Sequence, residues 1–318
     1  MRFITAVEQL KEANSAISVD FELDSIASYI NEVENTLIFI IGEQASNEIE
    51  AFPRALETIR RAIVDLALFS YSSSGAVEIS NIGITVSKSD KYLPASDKKL
   101  LNFRMDAGDR GSQAVEQLIS IMEANAADFP LWRTSQKRKD YFSTLFFDSG
   151  EFSSFGGIGI SASLFRVLRP IIQRVQEDVL YQDFGEALVD SIIEKRLSGT
   201  LTPDERKLER KLMQVLAPLA LADAIPYQMI QIQEGAVYTA SISALSSGSD
   251  NVQQFTAAEN SKLRSLLFRL STEGEAKRVT ALKWLKENAS KFSLFNGIDK
   301  LVYPFENMND KDSNVYFL

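Results

Sequence analysis

One part of this sequence repeats another. Residues 92–132 slide onto 255–295 at a constant offset of 163, which sets Tyr92 on Phe255, Lys99 on Lys262, Leu100 on Leu263 and Gly111 on Gly274. Ile119 then falls on Leu282, Met122 on Leu285, and NAADFPLW (125–132) on NASKFSLF (288–295). A gapless register of that length restricts the chain to folds that use one module twice. With small insertions the match continues towards the N-terminus. GITV (83–86) meets GAVY (235–238), and ALETIRRAIVDLALF (55–69) meets LERKLMQVLAPLALA (208–222), with Leu66 on Leu219. LIFIIGEQASNEI (37–49) lies on LYQDFGEALVDSI (180–192), keeping a Gly-Glu pair, and AISVDFEL (16–23) lies on GIGISASL (157–164).

Two domains follow, over 1–150 with an N-terminal arm and over 151–318 with a C-terminal tail. In each, a first helix is expected from apolar residues spaced three and four apart: Ile26, Tyr29, Ile30, Val33 and Leu37, or Leu168, Ile171, Ile172, Val175 and Val179. Pro170 falls in that helix. A second helix follows the Gly-Glu pair. For the third, TPDE (202–205) offers Thr202 as a cap, Pro203 at the first position and Glu205 to close a capping box. Leu208, Leu212, Val215, Leu216 and Leu219 form its buried face, and Pro218 predicts a kink or an early stop. The period then changes. AVEISNIGITVS (76–87) and YQMIQIQEGAVYTASIS (227–243) alternate and read as hairpins turning near Asn81–Gly83 and Glu234–Gly235. SSSG (72–75) and SSGSDN (246–251) read as linkers or loop tips. Each copy closes with two helices, the last over 112–126 or 275–289. The expected class is mainly α with small β: two tandem homologous helical domains, each with one β-hairpin.

Composition narrows the chemistry. The chain has 318 residues, 45% of them hydrophobic, and a net charge of −9, with no cysteine and no histidine. Disulfides, thiolate nucleophiles and cysteine-ligated zinc are thereby excluded, and the commonest general base near neutral pH is missing. Acidity argues against a general phosphate-binding role. Of the local basic runs QKRKDY (136–141) and ERKLERK (205–211), the second is read as a solvated, salt-bridged face, because Glu205 and Glu209 interleave with its cations. The longest apolar run, LIFII (37–41), is far short of a membrane span, and the start lacks the apolar core of a signal peptide. A soluble protein that contacts no membrane is expected.

Individual motifs weaken on inspection. Gly157, Gly159 and Ala162 fit the G-x-G-x-x-A dinucleotide fingerprint. The first copy has Ala16 and Ser18 in place of two of the glycines, no hydrophobic strand enters the loop, and no βαβ unit follows. GGIGIS is read as a flexible lead-in to the second domain, with Ser161, like Asp20 in the first copy, capping the next helix. Asp310, Asp312 and Asn314 open a calcium-loop spacing, but Val315 stands where glycine is needed and the bidentate Glu is absent. Asp178, Asp183 and Glu186 could in principle hold magnesium, yet the first copy keeps only Glu43, opposite Glu186. The aromatic stretch FFDSGEFSSF (146–155) is read as core or inter-domain packing. No catalytic, cofactor-binding or metal-binding residue is assigned, and no cofactor is expected.

The order of an Ile-rich lead-in, a helix ending in Gly42-Glu43 or Gly185-Glu186, a leucine-alanine helix, a glycine-centred hairpin and a closing helix with Asn125-Ala126 or Asn288-Ala289 resembles a structural-protein family of Bacteroidota phages and prophages, including crAss-like phages. The resemblance covers nearly the whole chain, once per repeat. It implies a non-enzymatic virion protein of the neck, a head-to-tail connector that forms a homo-oligomeric ring of twelve copies below the portal. Portal, tail and neck proteins are the implied partners, with passive DNA contact in the channel. The hairpins and the termini (1–15 and 296–318) are the candidate contact elements. A soluble two-domain module that grips a protein partner, and a carboxylate-dependent enzyme, are the alternatives.

Overall fold

The computed structural model describes residues 1–15, 17, 21–74, 77–80, 83–86, 97–225, 230–233, 236–239 and 257–295. The first half contains α1 (Val7–Ala13), a 3-10 turn (Leu23–Ser25), α2 (Ala27–Ile41), α3 (Glu43–Ala51), α4 (Pro53–Ser74), α5 (Asp97–Ala124), α6 (Pro130–Thr134) and α7 (Gln136–Tyr141). The second contains α8 (Ser149–Gly156), α9 (Ala162–Val175), a π-helical segment (Gln176–Gly185), α10 (Glu186–Ser198), α11 (Pro203–Ala224), α12 (Ala257–Glu287) and a 3-10 turn (Ala289–Lys291). In each half one long helix pair forms the spine, α4 with α5 and α11 with α12.

The expected class is corrected to all-α. The structure is about 81% helical, and its two folded bodies contain no strand. Outside them, β1 (Val77–Ser80) pairs antiparallel with β2 (Gly83–Val86), and β3 (Ile230–Gln233) with β4 (Ala236–Thr239). Two four-residue ribbons, the second of which touches α9 through β4, make no sheet layer, so they add no β component to the class. Ser80 faces Gly83 in one ribbon and Gln233 faces Ala236 in the other. The ribbons therefore correspond one residue away from the Gly83–Gly235 match that the sequence offers. Of the turns expected near Asn81–Gly83 and Glu234–Gly235, Gly83 opens β2, and 81–82 and 234–235 lie outside the described residues.

Packing repeats position by position. Leu37, Ile41, Ala45 and Ile49 of the first core correspond to Leu180, Phe184, Leu188 and Ile192 of the second, all at most 3% exposed. Ala55, Ile59 and Ile63 correspond to Leu208, Leu212 and Leu216, every one fully buried. Each such leucine, isoleucine or phenylalanine side chain contributes about 1.5–3 kcal/mol relative to exposure. The Gly-Glu pairs share a backbone reason: Gly42 (φ 95°, ψ 140°) and Gly185 (φ 89°, ψ 129°) occupy a region open to glycine and break one helix before the next begins. Gly111 and Gly274 share a packing reason. A Cβ on Gly111 would lie 2.7 Å from Leu66 Cγ, and one on Gly274 would lie 2.6 Å from Leu219 Cγ. Glycine there lets the two spine helices approach.

That close approach also explains a second correction. The closing helices are single: α5 runs unbroken through Gly108 and Gly111, and α12 through Gly274. Helix α11 continues six residues past Pro218 to Ala224, so the proline does not stop it. Helix α4 takes in 72–74 of the 72–75 stretch where a linker or loop tip was expected. The N-terminal segment is no free arm, since Phe3, Ile4 and Leu10 are buried in the first core. Glu34 holds it, accepting from the backbone N–H groups of Arg2 (2.7 Å) and Phe3 (2.8 Å). The C-terminal tail (296–318) and Asp20 lie outside the described residues.

Candidate functional site

The candidates raised by the sequence are not brought together. Gly157 is the left-handed C-cap of α8 (φ 65°). The N-terminus of α9 is closed by its own side chains: Ser161 Oγ accepts from Leu164 N–H at 3.2 Å and sits 2.9 Å from Ser163 Oγ. Ile160 N–H donates to Ser153 Oγ at 2.9 Å. A phosphate would have to displace these bonds, so the glycines mark a cap and a loop. Asp183 Oδ1 accepts from Arg278 Nη2 at 2.9 Å, and its other oxygen takes Arg278 Nε. That carboxylate ties α12 to the π-helical segment. Glu186 and Glu43 open α10 and α3. Among the described residues no three carboxylates group as a metal site would require. Asp310, Asp312 and Asn314 lie outside the described residues.

One cation of each basic run is ion-paired among the described residues, Arg138 in the first and Lys207, 3.8 Å from Asp204, in the second. Arg138 pairs with Glu123 at 2.7 Å, and Glu123 also accepts from the Trp132 indole N–H at 2.7 Å. In the second run Glu205 pairs with Lys195, and Glu209 with Arg196 at 3.1 Å. The capping box on α11 forms as the spacing predicts: Thr202 Oγ1 accepts from Glu205 N–H, and Glu205 accepts from Thr202 N–H at 2.9 Å.

The inter-domain packing expected of 146–155 is found at the seam between the halves, where α5 packs on α9, although the sequence did not name the helices that meet there. The linker aromatics build it. Phe146 and Phe152 are fully buried in the second core, with ring centroids 4.9 Å apart. Phe147 packs against both cores and meets Phe142 of the first at 4.6 Å. The Arg196 guanidinium lies over the Phe147 ring, 3.9 Å from its centre. Gln176, 1% exposed, satisfies the linker backbone: its Oε1 accepts from Leu145 N–H and its Nε2 donates to the Ser143 carbonyl, both at 3.0 Å.

Polar contacts cross the seam as well. Glu116 on α5 accepts from Ser149 N–H (3.0 Å) and Ser149 Oγ (2.8 Å), and burial pushes its carboxyl above the usual range despite those bonds. Asp109 accepts from Ser163 N–H at 3.4 Å. Beside these contacts lies a cavity of about 360 Å³, lined by Ile40 of α2, Ser112 and Val115 of α5, and Phe165, Arg166 and Arg169 of α9. The Arg169 guanidinium stacks over Tyr141 at 4.2 Å, and burial pushes that phenol up to about 12. These residues carry no motif and come from separate segments between Ile40 and Arg169, so only the fold assembles them.

No helix among the described residues is long and apolar enough to cross a membrane. Neither the curated proteins nor the solved structures contain a match to this chain. The sequence model of one family, described as a family of unknown function (DUF6712), matches residues 28–142 and 178–304, one segment in each half. With both spines and both ribbons inside those segments, the chain belongs to the DUF6712 family.

Proposed function

We propose that this chain is a non-enzymatic structural subunit, a head-to-tail connector of a virion neck that assembles as a homo-oligomeric ring around the DNA channel below the portal. One observation supports a structural role: the two halves keep their interiors and backbone locks while their outer residues diverge. Leu66–Gly111 and Leu219–Gly274 are the same contact, whereas exposed Asp128 of the first half corresponds to exposed Lys291 of the second. Two related bodies with different outer faces meet different neighbours, as a subunit in a stacked ring must. The carboxylates considered for chemistry fit this reading, since Asp183 is engaged in a helix-to-helix ion pair. A net charge of −9 fits a channel wall along which DNA slides without adhering.

Mass photometry and negative-stain imaging of the purified chain, alone and mixed with portal, test the proposal. Ring-sized particles, or portal-dependent assembly, are expected. A monodisperse monomer that ignores portal overturns it.

A further inference from the structure

The cavity at the seam concentrates unmet hydrogen-bonding capacity. Arg169 Nη1 and Ser112 Oγ are buried without a hydrogen-bond partner, and both residues line the cavity. Ser112 is only 2% exposed. A stranded buried polar atom costs about 1–3 kcal/mol, and more when charged. Such atoms call for an explanation, and a ligand that completes their bonds is one. Arg166 lines the same cavity and makes no ion pair among the described residues. Although its side chain reaches solvent, the surrounding protein lowers its pKa by desolvation, with no carboxylate acting against that. Arg169 is held by the Tyr141 carbonyl through Nη2, which fixes its plane and leaves Nη1 free. An arginine fork fixed in this way suits a planar oxyanion.

The other walls limit the class of anion. Ile40, Val115, Ala162 and Phe165 are apolar. Glu116 and Asp140 also line the cavity, but neither bonds to these arginines: Glu116 takes both bonds from Ser149, and Asp140 accepts from Gln136 at 2.8 Å. A second negative charge on a ligand would face those carboxylates. We infer that the seam cavity binds a small organic monocarboxylate, with its carboxylate on Arg166, Arg169 and Ser112 Oγ and its hydrocarbon part against Ile40, Val115 and Phe165. Because the site draws on α2, α5 and α9, an occupant would brace one half against the other. The inference does not depend on ring assembly.

Isothermal titration of the full chain with sodium hexanoate, and separately with inorganic phosphate, tests it at low ionic strength. Saturable one-to-one binding of hexanoate is expected, with phosphate at least tenfold weaker for lack of an apolar part. Arg166→Gln, at an exposed position on α9, should weaken hexanoate at least tenfold with helicity and melting unchanged. Ser112→Ala should weaken it a few-fold. Absence of saturable hexanoate binding, an unaffected Arg166→Gln protein, or phosphate binding as tightly as hexanoate each overturns the assignment.

Discussion

The two halves of this chain solve one packing problem with different degrees of polarity. At the end of the first closing helix, Trp132 is 1% exposed and joins Glu123 and Arg138 in a bonded group. Its counterpart Phe295 is partly buried, and Lys286 stands where the first half has Glu123. Buried Asp65 of α4, bonded by Asn14 at 2.7 Å, corresponds to buried Pro218 of α11. The glycine–leucine contacts, by contrast, are the same in both. Backbone approach is the part of the module that tolerates least change, and charged groups are what the copies exchange freely.

The largest test of that contrast is truncation at the helix ends. Trp132→Ala should cost about 3–5 kcal/mol, since it empties a buried site and removes the indole bond to Glu123, which keeps those from Arg138. Phe295→Ala should cost roughly half as much, because its ring is partly exposed. Chemical denaturation measures both, and equal losses would break the asymmetry. Next come the shared contacts. Gly111→Ala and Gly274→Ala should each destabilise by about 1–3 kcal/mol through overpacking. Gly111→Ala should be the worse of the two, because its Cβ also meets Leu66 backbone nitrogen at 3.0 Å, against 3.4 Å at Leu219. Trimming Leu66 to Ala in the Gly111→Ala background should recover part of the loss. Independent, additive losses would show that these residues do not touch.

The smallest effect is a pH dependence from a position that titrates in only one copy. Burial pushes the Asp65 carboxyl above its ordinary range, against the lowering influence of Asn14 and Arg110. The folded chain thus holds the Asp65 proton to a higher pH than the unfolded chain does. Asp65 accordingly weakens the fold progressively as pH rises from its unfolded pKa through the raised folded one. The stability of Asp65→Asn relative to the parent should therefore improve from pH 3 to pH 7. Pro218→Ala, its uncharged counterpart, should show no such trend. A flat Asp65→Asn difference would remove the electrostatic distinction between the halves.

Much of this architecture was legible before any coordinates. Leu66, Leu219, Gly111 and Gly274 align in sequence and turn out to be partners in space, and the Gly42 and Gly185 breaks fall where the Gly-Glu pairs predicted. The capping box at Thr202 was readable because its partners are three residues apart. Glycine misled the reading where it served packing: Gly108, Gly111 and Gly274 look like helix breaks, yet each sits inside one long helix because a neighbouring side chain needs the space. Alternation in 76–87 and 227–243 marked the ribbons but overstated their weight in the fold class. The seam cavity was illegible because Ser112 and Arg169 become neighbours only after two halves with separate cores have docked.

Phe147 belongs to both hydrophobic clusters, and so does Leu197. A side chain shared in this way is wetted whenever either half opens, which penalises any state in which one half is folded alone. The duplicated chain should therefore melt as a single cooperative block, and neither module could be excised without carrying an exposed aromatic scar.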